Sequence, residues 1–354
     1  MFTETDIFVG GQDSVNIYRI PALVVAPSGT ALAFIEAREG DDGDPTDLTL
    51  KRSIFRTPPC PQMLNGYPRT FGYGFNWEPM RLALSGNGEA VMNPCPVLDE
   101  STGRIWLPCC EILGGLSEHI KDPSSGRFLL TWSDDEGLTW AQPRDLTPSA
   151  PRFTCGPGVS VQMRNGRIVI PGYWSPSAHV RTRSCVVYSD DHGDTWRQGA
   201  RVGVDTDESQ AVELSDGVLM LNCRSNEGRG CRYVALSRDG GETWFDEFHD
   251  PALPDPVCQA SIIRQADSGT EGTKPLLVFV NCSSADRVNL AIKISTDDGK
   301  TWSEGRTIHA GHAAYSSAAF LRDGTLGVLY ETGKDHPYEK ITFARFDVDW
   351  AMGA

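Results

Sequence analysis

No run of 18 apolar residues occurs in the chain, which excludes a transmembrane helix. No C-x-x-C pair occurs either. The 10 cysteines stand at 60, 95, 109, 110, 155, 185, 223, 231, 258 and 282, and only Cys109 and Cys110 adjoin. That scatter argues against a zinc or disulfide framework and for small buried hydrophobes in a reducing compartment. Sustained apolar stripes at i, i+3, i+4 and i+7 are missing, so helices contribute little. Positive charge is scarce: 32 Lys and Arg face 47 Asp and Glu, a net charge of −15. A fold-wide basic face for nucleic acid is excluded, and an anion has to be met in a local pocket of concentrated positive charge. The opening residues MFTETDIFVGG hold neither a basic segment nor a long apolar one. No secretory signal is read there and a cytoplasmic location is expected, although a chain whose leader had been removed would read the same.

What the sequence does have is repetition. SDDEGLTW (133–140), SDDHGDTW (189–196), SRDGGETW (237–244) and STDDGKTW (295–302) share the pattern S-x-D-x-G-x-T-W. Ser and Asp bond nearby backbone N–H groups, Gly accepts positive φ, and the Trp closes an apolar slot below the turn. Each octamer follows a β-rich stretch, so it reads as a hairpin turn between two strands of a recurring unit. Further short strands are expected at RIPALVV (19–25), TALAFIEA (30–37), LTLKRSI (48–54), RIWLPCC (104–110), RIVIPGY (167–173), VLMLNCR (218–224), PLLVFVN (275–281) and TLGVLYE (325–331). Many short strands with a period near 50 residues fit an all-β, six-bladed β-propeller of four-stranded antiparallel blades. The expected organisation is one propeller domain over residues 1–354, with two blades lacking the octamer. The Pro-, Gly- and aromatic-rich stretch 57–77 reads as an insertion within one blade, and 267–274 as a solvated loop.

YRIPAL (18–23) followed by four such boxes resembles the sialidase (exo-α-neuraminidase) superfamily. MNPCP (92–96) and LYE (329–331) look most like its animal cytosolic-type branch. The resemblance implies that Arg19, Arg224 and Arg287 converge on a substrate carboxylate. A planar guanidinium donates two parallel hydrogen bonds to a carboxylate and stays charged at any working pH. It implies that Glu331 orients Arg19, and that Tyr315 in HAAYSS is the nucleophile. A neutral phenol avoids the repulsion that a carboxylate would meet beside the acid group on the anomeric carbon of a sialic acid. A phenol also needs a base. Glu208 matches that role, with Glu213 the competing candidate. The general acid/base is expected in the acidic loop REGDDGDPTDLTLKR (38–52); counting nine positions back from Lys51 gives Asp42, with Asp41 and Asp44 as neighbours. Like-charge crowding and closure over a ligand are expected to raise its pKa. Arg38, Asn93, Glu118 and Tyr173 match positions that line the sugar site. Ser175 departs from the family, which has a second tyrosine there.

The implied function is an exo-α-sialidase that releases terminal α-linked sialic acids from glycans with retention. It needs no metal or other cofactor and has sialylated glycans, glycoproteins or glycolipids as its substrate partners. Three alternatives stay open. One is a trans-sialidase using Tyr67, Phe71, Tyr73 and Trp77 as an aromatic acceptor platform. One is a hydrolase of a related ulosonic acid such as deaminated sialic acid. The last is a non-catalytic sialic-acid-binding propeller.

Overall fold

The computed structural model describes residues 1–55, 75–122, 125–175, 180–265 and 276–353. Most of the 57–77 insertion, including Tyr67, Phe71 and Tyr73, and the 267–274 loop lie outside them. The chain opens with β1 (Phe2–Val9) and then lays down blades in order. Blade one holds β2 (Ile17–Val25), β3 (Ala31–Arg38), β4 (Thr46–Phe55), β5 (Phe75–Trp77) and β6 (Arg81–Leu84). Blade two holds β7 (Ala90–Met92), β8 (Val97–Leu98), β9 (Ile105–Ile112), the short helix α1 (Leu116–Lys121), β10 (Gly126–Ser133) and β11 (Arg144–Asp145). Blade three holds β12 (Phe153–Cys155), β13 (Val161–Gln162), β14 (Ile168–Trp174), β15 (Arg183–Ser189) and β16 (Arg197–Gln198). Blade four holds β17 (Thr206–Glu213), β18 (Leu219–Ser225), β19 (Cys231–Ser237) and β20 (Asp246–Pro254). Blade five holds β21 (Ser261–Arg264), β22 (Leu277–Cys282), β23 (Val288–Ser295) and the first half of β24 (Arg306–Phe320). The second half of β24, with β25 (Leu326–Gly333), β26 (Lys340–Phe346) and β1, makes blade six, after which the helix α2 (Val348–Met352) follows.

Two strands join the ring. The 15-residue β24 pairs with β23 through Arg306 to His312 and with β25 through His312 to Phe320, so one strand ends blade five and begins blade six. β1 pairs antiparallel with β26, from Phe2 opposite Phe346 to Val9 opposite Lys340, so the first strand of the chain completes the last blade. Closure of this kind leaves each blade only a short outer edge, which limits pairing with other chains.

The core follows the same plan. Among the described residues, apolar clusters fill each gap between neighbouring blades. Phe34, Leu50 and Leu107 pack between blades one and two, Trp106, Phe128 and Ile170 between two and three, and Val280, Leu290 and Phe346 between five and six. Fully burying a side chain of this size contributes about 1.5–3 kcal/mol. The four octamers turn the chain from third to fourth strand in blades two to five. In the second, Ser189 Oγ accepts the Gly193 N–H at 2.8 Å and Asp191 Oδ1 accepts the Thr195 N–H at 2.8 Å. Gly193 has φ 86°, and a Cβ there would sit 2.5 Å from the Trp106 ring, so the turn requires glycine twice over. In blade six the third and fourth strands, β26 and β1, are not consecutive in sequence, so no octamer turn joins them.

Candidate active site

The inner strands of three blades break register at one end of the propeller. β2 slips between Arg19 and Ala22, β17 between Thr206 and Ser209, and β24 between Ala313 and Ser316. A bulge re-aims the side chains it carries, and these bulges carry Arg19, Glu208 and Tyr315. Each also frees backbone N–H groups that the ladder would have used. Glu331, on β25, takes two of them: Oε1 accepts from Ile20 at 2.9 Å and Oε2 from Tyr315 at 3.1 Å. Ile20 has φ 60°, a left-handed conformation that a β-branched residue rarely adopts, and it stays there between Arg19 and Pro21 with its N–H held by that carboxylate.

The three arginines expected from the sequence do meet. Arg19 Nε donates to Glu331 Oε1 at 2.7 Å, and its guanidinium lies 5.5 Å from the centre of the Tyr315 ring. The Arg287 guanidinium lies 5.4 Å from the same ring. Arg224 forks onto Asp207 with bonds of 2.6 and 2.7 Å and donates through Nη1 to the Tyr315 hydroxyl at 3.0 Å. Tyr315 in turn donates to Glu208 Oε1 at 2.5 Å. Arg224 Nη1 also stands 2.7 Å from Glu208 Oε2, an ion contact off the line of a hydrogen bond. Burial raises the pKa of Glu208, and burial together with the Glu208 charge raises that of Tyr315. The phenol therefore holds its proton in the free protein and presents it to Glu208. Glu213 is not part of this group: it accepts the Arg164 N–H at 2.8 Å and lines a different cavity.

The acidic loop resolves its candidates in the same way. Asp44 Oδ2 accepts the Asp41 N–H at 2.8 Å, closing the turn, while Asp42 pairs with Arg38 and lies 3.9 Å from Arg19 Nη1. Burial raises the Asp42 carboxyl, but Arg38 and then Arg19 outweigh it and hold the pKa below the usual carboxylate range. The expected upward shift is thus reversed in the free protein, because the neighbours that matter are two guanidinium groups and not the other acids of the loop. Arg38 is fixed from behind by Glu36, whose Oε2 accepts from Nε at 2.7 Å while Oε1 accepts the Asn93 N–H at 2.6 Å. A cavity of about 210 Å³ is lined by Arg19, Arg38, Asp42, Asn93, Tyr173 and Tyr315, and Ser175, noted in the sequence as a departure from the family's second tyrosine, lines it too. It opens into a wider space of about 900 Å³ that includes Arg224 and Arg287. Glu118 falls on α1, and its side chain lies outside the described residues. Sequence reasoning missed Glu36, Asp207 and Tyr338. All three bond an arginine of the site, and no motif marks them. The only available signal was the need of a buried guanidinium for a counter-charge or a bond partner.

The profile of the BNR repeat-like domain family matches residues 29–328, most of the chain. The chain belongs to the sialidase superfamily. Among its relatives, a sialidase of Micromonospora viridifaciens is 35% identical over 100% of this chain and 55% of its own length. A sialidase of Bacteroides fragilis is 31% identical over 92% of this chain and 62% of its own length. Human Sialidase-3 is 28% identical over 96% of this chain and 91% of its own. The chain thus spans 55% and 62% of the two bacterial relatives. Among solved structures, the Hadza microbial sialidase Hz136 superposes with a TM-score of 0.84 at 29% identity, covering 99% of this chain and 69% of that one. A leech intramolecular trans-sialidase shares the fold at a TM-score of 0.79 and 19% identity, over 99% of this chain and 71% of its own. The six-bladed all-β architecture of this sialidase-superfamily chain is therefore that of its relatives. Among the described residues no helix is long and apolar enough to cross a membrane.

Proposed function

We propose that this chain is an exo-α-sialidase, a retaining glycoside hydrolase that removes terminal α-linked sialic acids from glycans, built as a single propeller domain. The observation that carries the reading is the Tyr315 hydroxyl, 2.5 Å from Glu208 and 3.0 Å from Arg224, with the Arg19 and Arg287 guanidinium groups flanking the same ring. Arg19, Arg224 and Arg287 grip the carboxylate on the anomeric carbon. Arg38, Asn93 and Tyr173 contact the rest of the sugar. Asp42 protonates the departing glycosidic oxygen while Glu208 takes the phenolic proton and Tyr315 Oη bonds to the anomeric carbon. In the second half, Asp42 takes a proton from water, the water oxygen bonds to the anomeric carbon, and the phenol leaves with its proton restored from Glu208. Two displacements on one carbon retain configuration. A cytoplasmic location is supported by the nine described cysteines, all of which are free thiols.

Hydrolysis of 4-methylumbelliferyl-α-sialoside, followed by NMR within the first turnovers, tests the reading. The expected first product is the α-anomer of the free sugar. A first-formed β-anomer, or no cleavage by the folded protein, would overturn it. Added lactose separates transfer from hydrolysis: the proposal expects free sugar to remain the main product. Deaminated and N-glycolyl sialosides in the same assay rank the substrates.

A further inference from the structure

The three gripping arginines are not held alike. Arg19 is paired with Glu331, and Arg224 with Asp207 and Glu208. Arg287 has no ion pair among the described residues. Its Nη2 donates to the Val257 carbonyl at 2.8 Å and its Nη1 to the Tyr338 hydroxyl at 2.8 Å. The Tyr338 ring meanwhile lies flush against Arg19, whose guanidinium carbon is 3.9 Å from the ring centre. One phenol therefore stands between two cations, giving a π face to the first and a hydroxyl lone pair to the second. Its ring packs on Ile20, Cys258, Ala314 and Tyr315, in the cluster beneath the site.

The loop that delivers it is fastened. The Glu339 carboxylate accepts the N–H groups of Lys334, Asp335 and His336 at 3.1, 2.7 and 3.1 Å, and the Tyr338 N–H donates to His336 Nδ1 at 3.1 Å. The Glu339 carbonyl accepts the Gly10 N–H at 2.9 Å, tying the loop to the strand that closes the ring.

We propose that Tyr338 is the positioning residue of the carboxylate grip: it sets the spacing of Arg19 and Arg287 and keeps the Arg287 charge uncompensated until an acidic sugar supplies the counter-ion. This rests on the sialidase reading of the site. Tyr338→Phe keeps the ring and removes the hydroxyl; Tyr338→Leu removes both. The test compares affinity for a 2,3-unsaturated sialic acid with affinity for its methyl ester, by calorimetry on the purified chain, alongside sialoside kinetics. With the Phe variant the acid is expected to bind about tenfold more weakly and KM to rise by a similar factor, as for a lost hydrogen bond to a charged group, with kcat within about twofold. The Leu variant is expected to lose more, and the ester to change little in either. Acid affinity unchanged in the Phe variant, or acid and ester weakened equally, would overturn the proposal. Calorimetry needs no turnover, so an inactive wild-type chain would sink the hydrolase reading while leaving the role of Tyr338 open to the same measurement.

Discussion

Glu331 Oε1 accepts Arg19 Nε at 2.7 Å in a pair whose carboxylate is fully buried. The other oxygen of that carboxylate holds the Tyr315 N–H, so the residue that aims the first gripping arginine also fixes the strand bearing the phenol. Glu331→Gln keeps the shape and removes the charge. Breaking a buried pair from one side costs about 3–5 kcal/mol, because the remaining ion is left without its partner. The variant is expected to melt at lower temperature and to lose about 100-fold or more in kcat/KM on an aryl sialoside. A variant with wild-type KM and kcat would show that Arg19 is aimed by something else.

Tyr315→Phe separates bond formation from binding. The hydroxyl is the reacting atom in the proposed path, while the carboxylate grip lies on the arginines. Removing the nucleophile is expected to lower kcat by about a thousandfold or more. Affinity for an unsaturated sugar acid should stay within a few-fold of wild type. Glu208→Gln should lower kcat by about 10²–10⁴, the range for a general base. A Tyr315→Phe enzyme that turns over at the wild-type rate removes the phenol from the mechanism.

The blades were legible because their signal repeats: four octamers at near-even spacing mark four third-to-fourth-strand turns, and strands such as 19–25 and 325–331 are short, mostly apolar runs that the fold buries on both faces. The role of β1 was not, since a strand of pattern FTETDIFV pairs with β26 at the other end of the chain, Phe2 opposite Phe346, and nothing local announces its partner. In the site, Arg19, Arg224, Arg287 and Tyr315 were readable through the residues around them. The choice between Glu208 and Glu213 was not open to spacing alone. Both lie on β17, and a bulge at Thr206–Ser209 decides which carboxylate reaches the phenol. The direction of the Asp42 shift failed for a related reason: sequence shows its acidic neighbours, whereas the fold brings in Arg38 and Arg19.

That reversal sets a pH dependence. In the free protein burial raises Asp42, but Arg38 and Arg19 hold it lower still, so it is ionised at neutral pH. In the proposed path a bound sugar carboxylate engages Arg19 and Arg287, which would weaken their pull on Asp42 and raise its pKa toward that of a working acid. On that proposal protonated Asp42 is the active form for glycosidic cleavage, and activity is expected to be lost as pH rises through its pKa. The alkaline limb of kcat, which reports the complex, is therefore expected at higher pH than that of kcat/KM, which reports free enzyme. Coincident limbs, or the opposite order, would count against Asp42 as the acid. Asp42→Asn adds a second check: its loss should be larger on sialyllactose, whose leaving group needs a proton, than on an aryl sialoside.

The octamer turns carry a separate pH signature, in stability instead of rate. In the second turn Asp191 Oδ2 accepts the Thr195 hydroxyl at 2.5 Å and Oδ1 the Thr195 N–H at 2.8 Å, and these bonds lower its pKa to about 2. Asp135, Asp239 and Asp297 make the same pair of bonds in their own turns and are shifted down likewise. A carboxyl whose folded pKa lies below its unfolded value contributes stability above the unfolded value, near 4, and loses it as pH falls through the folded one. The melting temperature is therefore expected to be level above about pH 5 and to fall between about pH 4 and 2, with several turns giving way over the same window. Asp191→Asn should melt lower at neutral pH and fall less steeply in acid, since one of the titrating groups is gone. Parallel curves for wild type and variant across that range would mean that the turn carboxylates do not drive acid unfolding.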